Sequence, residues 1–195
     1  MKAINLKTEY LINPIGIDIQ NPRLMWTCEG GKTQSAYRVV AVTDGETVWD
    51  SGKVLSAEMH ADYQPKLVSR QRVEWTVTVW NKHDEEGEKA DAFFEMGLLS
   101  GSDFKAKWIC GNYGVNKKKR YPVDCFRKTF NAFCVREARL YITACGLYEA
   151  KLNGKKIGEF CLAPGHTDYR KRIQLQVYDV TEAVVSGKND FTVEL

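Results

Sequence analysis

Between Leu162 and Arg172 the chain reads LAPGHTDYRKR, and the seven residues from His166 to Arg172 bring together an imidazole, a carboxylate, a phenol and three cations. A histidine, an aspartate and a tyrosine this close are the residue types of acid–base catalysis. The Pro164-Gly165 pair that opens the stretch is equally the start of a loop that locks one strand to the next. In that role Asp168 accepts backbone N–H bonds and pairs with the guanidinium of Arg170, beside Lys171 and Arg172. A third role is contact with a sugar. Sugars are recognised by aromatic faces and planar polar groups, and Tyr148, His166, Tyr169 and Arg170, with Asp168 beside them, supply those types as candidate ligand-binding residues.

The elements that position this loop are strands. Period-two alternation dominates the chain, and no segment of a dozen residues carries a helical stripe, so the fold class is all-β. YRVVAVTD (37–44), EWTVTVWN (74–81) and AFFEMGL (92–98) read as strands. In the second of these, Trp75, Val77 and Val79 share one face and Thr76 and Thr78 the other. Short strands with turn signals at this spacing point to a fibronectin type III or immunoglobulin-like sandwich. Around GLLSGSDFKAKWI (97–109) the pattern breaks into Gly, Ser and Asp, which places a boundary near Gly101 and domains at 1–101 and 102–195. In the second domain ARLYITA directs Leu140, Ile142 and Ala144 to one face. LYEAKL runs into Asn153-Gly154, the strongest short hairpin signal, and KKIGEFCL is the expected return strand. RIQLQVYDV, with Ile173, Leu175 and Val177 alternating, and KNDFTVEL, with Phe191, Val193 and Leu195 alternating, complete a second sandwich.

Bulk properties exclude several classes. With 44% hydrophobic and 27% charged residues, the chain is an ordinary globular protein and not a disordered one. A formal charge of +3 is too small to argue for nucleic acid or a membrane surface. The basic run from Lys117 to Arg120 lacks interleaved aromatics and reads as a solvated loop. NKHDEEGEKA (81–90) has His83 as its only nitrogen ligand and reads as a solvated hairpin loop, not a metal site. The N-terminal stretch has no signal-peptide core, and nowhere do about 18 apolar residues follow one another, so no membrane association and a cytoplasmic location are expected. The six cysteines, irregularly spaced and with no C-x-x-C pair, read as reduced thiols, not zinc ligands. No metal and no cofactor is expected.

EYLINPIGIDIQNPRLMW (9–26) resembles the opening of bacterial α-L-rhamnosidases of glycoside hydrolase family 78, through Tyr10, Leu11, Asn13, Pro14, Gly16, Ile17, Asp18, Pro22, Arg23, Leu24 and Trp26. The resemblance recurs in AYRVVA, VWDSGKV, WTVTVW and FEMGLL. It is most specific in ARLYITACGLYEAKLNGKKIGEFCLAPGHTDYRKRIQLQVYDVT, where relatives usually carry tryptophan at the place of His166. The resemblance implies a fibronectin type III-like domain followed by a galactose-binding-like jelly-roll sandwich, here incomplete. It also implies a catalytic (α/α)6 barrel that lies further on, outside these residues, as the partner of these domains. Family chemistry is inverting hydrolysis of terminal α-L-rhamnosides by two glutamates of that barrel.

Inverting hydrolysis needs two carboxyl groups about 6.5 to 9.5 Å apart, and Asp168 has no partner acid in its own loop. Glu149 and Glu159 belong to a hairpin whose polar face meets water. The chain alone is therefore expected to be inactive, with no catalytic residues. A strand-linking loop and a sugar-contacting or interdomain surface stay open, and His166 in place of tryptophan removes the best stacking surface. Some relatives bind rhamnose through calcium, but the second domain has no run of closely spaced Asp and Asn, so calcium is not carried over. The implied role is that of non-catalytic accessory domains. The alternatives are a free-standing carbohydrate-binding module for L-rhamnose-containing glycans or a protein-interaction tandem. The alternation of KNDFTVEL up to its last residue further predicts a C-terminal edge strand through which the second sandwich self-associates.

Overall fold

The computed structural model describes residues 1–31, 33–114, 116 and 118–195, so Lys117, the first lysine of the basic run, lies outside the described residues. The chain divides into two units, Met1–Phe104 and Lys105–Leu195. Among the described residues no helix is long and apolar enough to cross a membrane.

The first unit contains β1 (Lys2–Thr8), β2 (Ile15–Ile17), β3 (Arg23–Glu29), β4 (Gln34–Thr43), β5 (Glu46–Asp50), β6 (His60–Asp62), β7 (Arg72–Asn81) and β8 (Ala90–Met96). They form a three-stranded sheet, β1-β3-β6, and a five-stranded sheet, β2-β8-β7-β4-β5. The ladders are antiparallel except that β2 joins β8 in parallel. The alternation of β7 does what the sequence predicts, since Val73, Trp75, Val77 and Val79 are buried. They meet Val39 and Ala41 of β4, Phe94 and Met96 of β8, and Ala3, Leu24 and Trp26 of the smaller sheet in one core. Tyr63 stacks edge-on against Trp49 and Phe94, with ring centroids 5.5 Å apart in each pair. This is an aligned β-sandwich whose stability rests on the apolar area between the two sheets. The acidic segment after β7 closes on itself, because Asn81 binds Glu85 and the N–H of Asp84, and Lys53 pairs with Asp84.

Thr8, Gln34, Thr78 and Glu95 are the buried polar residues of this unit among those described, and Gln34 links the most segments. Gln34 is only 4% exposed. Its Oε1 accepts the indole N–H of Trp26 at 2.9 Å, and its Nε2 donates to the carbonyls of Ser56 and Glu58 at 3.1 and 2.8 Å. Gln34 thereby ties β3, β4 and the irregular segment before β6 together. Gln34→Ala leaves the buried indole N–H without a partner and removes the donor from two part-buried carbonyls, and should cost about 2 kcal/mol. Urea unfolding of the variant is expected to show a lowered midpoint with an unchanged slope, and an unchanged midpoint would show that water replaces the amide freely.

The second unit contains β9 (Cys125–Ala132), β10 (Arg139–Ile142), β11 (Glu149–Leu152), β12 (Lys155–Lys156), β13 (Gln176–Asp179) and β14 (Gly187–Glu194). A four-stranded sheet, β12-β11-β14-β9, faces a two-stranded ladder, β10-β13. Ala150, Leu152, Phe191 and Val193 from the first pack with Leu140, Ile142 and Tyr178 from the second and with Val180, which follows β13. The Asn-Gly turn forms as expected, with both residues at positive φ, 52° and 80°. A short polar hub fixes it. Asn189, fully buried, bonds both the N–H and the C=O of Val185 and accepts from Asn153 Nδ2 at 2.8 Å. Asn153 Oδ1 in turn accepts the N–H of Asp190 at 2.9 Å.

Three expectations are corrected here. The return strand KKIGEFCL is only two residues long, because the chain turns away at Gly158, whose φ is +71°. In RIQLQVYDV only Gln176–Asp179 pairs, since its partner β10 ends at Ile142 and the ladder ends with it. The C-terminal strand is not an edge. β14 is central, paired over eight residues with β9 and over four with β11, so its N–H and C=O groups have neighbours on both sides. Local alternation says which face of a strand is buried and nothing about its rank in the sheet. β9, which lies far back in the sequence, decides that rank.

Candidate functional site

The LAPGHTDYRKR loop follows β12 and Gly158 and rejoins the fold at β13. Its first part is pinned to β11 by an isolated bridge, in which the Tyr148 N–H donates to the Ala163 carbonyl at 2.7 Å. The peptide between Ala163 and Pro164 is cis, and Gly165 follows at φ +96°. Asp168 then organises the tip. Its Oδ1 accepts the backbone N–H and the Nε of Arg170, its Oδ2 accepts Nη2 at 3.3 Å, and its carbonyl accepts the N–H groups of Lys171 and Arg172. Thr167 closes the turn by donating its hydroxyl to the Arg172 carbonyl. Arg170, through its side chain and then its backbone N–H, holds the Asp168 carboxyl below the usual carboxylate range. Asp168 is therefore an ionised structural acceptor and not a proton donor at neutral pH.

His166 does not join it. Its ring meets Tyr169, with centroids 5.5 Å apart and planes tilted by 59°. Tyr148 is drawn out of the loop altogether. It is 7% exposed, and its hydroxyl donates at 2.7 Å to Gln176 Oε1, the atom that also accepts the Tyr178 hydroxyl. Burial, followed by the Tyr178 hydrogen bond, pushes the Tyr148 phenol far above its ordinary range. Of the five residues singled out in the sequence, His166, Asp168, Tyr169 and Arg170 share one surface loop, and Tyr148 belongs to the core beneath it.

Glu149 is committed to partners other than this loop. Glu149 bridges Lys156 at 3.0 Å and Lys151 at 3.2 Å, and these ammonium groups lower its pKa. A general acid for glycoside hydrolysis needs the opposite, a carboxyl raised toward neutral pH. Among the described residues no three His, Cys, Asp or Glu side chains gather where they could hold a metal ion. A shallow hollow of about 370 Å³ lies on the outer face of the five-stranded sheet beside Asn13, Glu74, Asp91 and Phe93. There Asp91 accepts the Thr76 hydroxyl at 2.8 Å, and the Arg72 guanidinium covers the Phe93 ring at 3.8 Å, which removes the one aromatic face a sugar would use.

What the sequence reading missed is the support of the loop. Gln176 and Tyr178 hold Tyr148 from β13, and Gly158 lies directly against the Tyr178 ring. The available signal was the pairing of two polar positions, Gln176 and Tyr178, on one face of an otherwise apolar run.

Comparison with known proteins follows the same two units. Residues 3–100 match the family of the Rha78A-like, N-terminal immunoglobulin domain, and residues 134–195 match that of the α-L-rhamnosidase N-terminal domain. An α-L-rhamnosidase of Formosa agariphila is 37% identical over 94% of the chain and 22% of its own length. The structure of α-L-rhamnosidase from Dictyoglumus thermophilum aligns over the whole chain and 25% of its own, at 32% identity and a TM-score of 0.85. That of native α-L-rhamnosidase from Aspergillus terreus covers 99% of the chain and 23% of its own, at 26% identity and a TM-score of 0.88. The chain thus spans about a fifth of the length of the curated relatives it matches. With both units matched in order and nearly the whole chain aligned, this protein belongs to the α-L-rhamnosidase family, as its N-terminal immunoglobulin-like domain followed by its α-L-rhamnosidase N-terminal domain.

Proposed function

We propose that these two β units are the non-catalytic N-terminal part of an α-L-rhamnosidase that hydrolyses terminal α-L-rhamnosides with inversion, and that they serve a catalytic (α/α)6 barrel located elsewhere in the longer protein. The observation that carries the reading is the chain-wide match to about a fifth of several α-L-rhamnosidases, made by units in which Arg170 holds Asp168 ionised and Lys156 and Lys151 hold Glu149 ionised. Such carboxylates cannot protonate a leaving oxygen. The work left to the units is packing and shaping access to the barrel. In this reading the second unit is an incomplete sandwich, since only two strands face its four-stranded sheet.

A second role, contact with the glycan, is favoured by the exposed His166 paired with Tyr169 beside Arg170. An imidazole and a phenol offer smaller stacking faces than tryptophan, so weak binding is expected. The 195-residue chain should not turn over a chromogenic α-L-rhamnoside, while the full-length protein should. Turnover by the chain, abolished by Asp168→Asn, would overturn the accessory role. Titration of the chain with L-rhamnose tests the second role, which requires saturable heat that Tyr169→Ala removes.

A further inference from the structure

Asn153 is followed by Gly154, and no other asparagine in the chain precedes a glycine. The pair carries a chemistry of its own. With no glycine side chain in the way, the Gly154 backbone nitrogen can reach Cγ of the Asn153 amide. Its attack forms the N–Cγ bond of a five-membered succinimide and breaks the Cγ–Nδ2 bond. The proton of the Gly154 N–H leaves with Nδ2 as ammonia. Water then opens the ring at either carbonyl, and aspartate or isoaspartate stands where asparagine was.

The folded turn opposes the first step. Asn153 Oδ1 accepts the Asp190 N–H at 2.9 Å, and Nδ2 donates to the Ala183 carbonyl and to Asn189 Oδ1 at 2.8 Å each. The Asn153 backbone N–H adds a bond of 2.8 Å to the Asp190 carbonyl. An amide clamped at both ends cannot swing its Cγ toward Gly154 unless these bonds break. Steric cover contributes nothing, because a Cβ built on Gly154 would meet no atom within 4 Å.

The same contacts reject the product. A carboxylate accepts hydrogen bonds and donates none. An aspartate at position 153 would set an oxygen against the Ala183 carbonyl and Asn189 Oδ1, where Nδ2 now donates. Asn189 cannot relieve this by turning its amide over. Its Nδ2 is required by the carbonyls of Val185 and Gly187, and its Oδ1 by the Val185 N–H. Isoaspartate is worse placed, since it adds a backbone atom to a turn whose flanking residues, Leu152 and Lys155, are paired.

We propose that Asn153-Gly154 is a spontaneous modification site gated by the opening of its turn, and that the product cannot rebuild the Asn153–Asn189 hub. Opening of the second unit is reversible until this reaction occurs and irreversible afterwards.

Peptide mass spectrometry of the 195-residue chain, kept in mildly alkaline buffer with and without denaturing urea, tests the gate. Conversion of Asn153 should be slower by at least about tenfold in the native chain, since only opened molecules react. Equal rates overturn the proposal. The product is tested on the chain converted in urea and then returned to native buffer. Brief proteolysis removes molecules whose second unit stays open, and the survivors should be depleted in the converted peptide by about tenfold or more. Survivors as rich in it as the starting mixture show that the hub tolerates the acid, and overturn the one-way step. Two variants separate wrong polarity from lost bonds. Asn153→Gly removes the amide without adding an oxygen and suits the positive φ of 52°. Asn153→Asp should leave the amides of residues 187–194 less protected than Asn153→Gly does, and protection equal to or above that of the glycine variant also overturns it.

Discussion

Replacing Asn189 by leucine is expected to destabilise the second unit by about 3 kcal/mol or more. The side chain is fully buried and uses both of its ends. Nδ2 donates to the carbonyls of Val185 and Gly187 at 2.7 and 3.0 Å, and Oδ1 accepts the Val185 N–H and Asn153 Nδ2 at 2.8 Å each. Leucine of nearly the same volume fills the space and satisfies none of these groups. Asn153 then loses one of the contacts that hold the Asn-Gly turn against β14, although it still donates to the Ala183 carbonyl. The amides of β14 should therefore lose more than about a hundredfold of their exchange protection, because 1.4 kcal/mol is a factor of ten in an opening equilibrium. The amides of β7, in the core of the first unit, should be unaffected. Unchanged protection of β14 would show that the hub is not what holds the turn.

Gly158→Val is expected to cost a further large amount, about 3 kcal/mol, by two separable routes. Glycine here has φ +71°, a conformation that a β-branched residue adopts only under strain. A Cβ at this position would also lie 2.3 Å from Cε1 of Tyr178. That ring cannot simply retreat, since its hydroxyl donates at 2.5 Å to Gln176 Oε1 and Tyr148 donates to the same oxygen. The clash therefore propagates into the residues that support the LAPGHTDYRKR loop. A double-mutant cycle separates the routes. Gly158→Ala should be markedly less costly when Tyr178 is already alanine, leaving only the backbone strain. An equal cost in both backgrounds would show that φ alone requires the glycine and that the Tyr178 contact is incidental.

The loop itself shows how far residue types can be read. Asp168 beside Arg170 was legible as a turn lock, because both partners lie two residues apart and their contact is local. Tyr148 was not legible in the same way. A tyrosine close in sequence to a polar loop is as available for a sugar as for the core, and its assignment to the core depends on Gln176, 28 residues away. His166 and Asp168, which as types suggest a proton relay, point to different neighbours once the loop is folded, and no relay forms between them.

The sequence by itself determined the elements whose causes are local. Alternation set the buried faces of β4, β7, β11 and β14, the Asn-Gly pair set its turn through two residues at positive φ, and the residue strings of both units carried the family resemblance. Only the tertiary structure decided the rank of each strand in its sheet, the length of strands whose partners stop early, and the exposure of β9. β14 alternates like an edge strand and lies in the centre, while β9 alternates weakly and forms the edge. The physical reason is that side-chain period reports which way a residue points, a property of its own backbone. Strand order is a matter of which distant N–H and C=O groups meet, and residues 125–132 and 187–194 meet across more than fifty intervening residues whose pattern records nothing of that pairing.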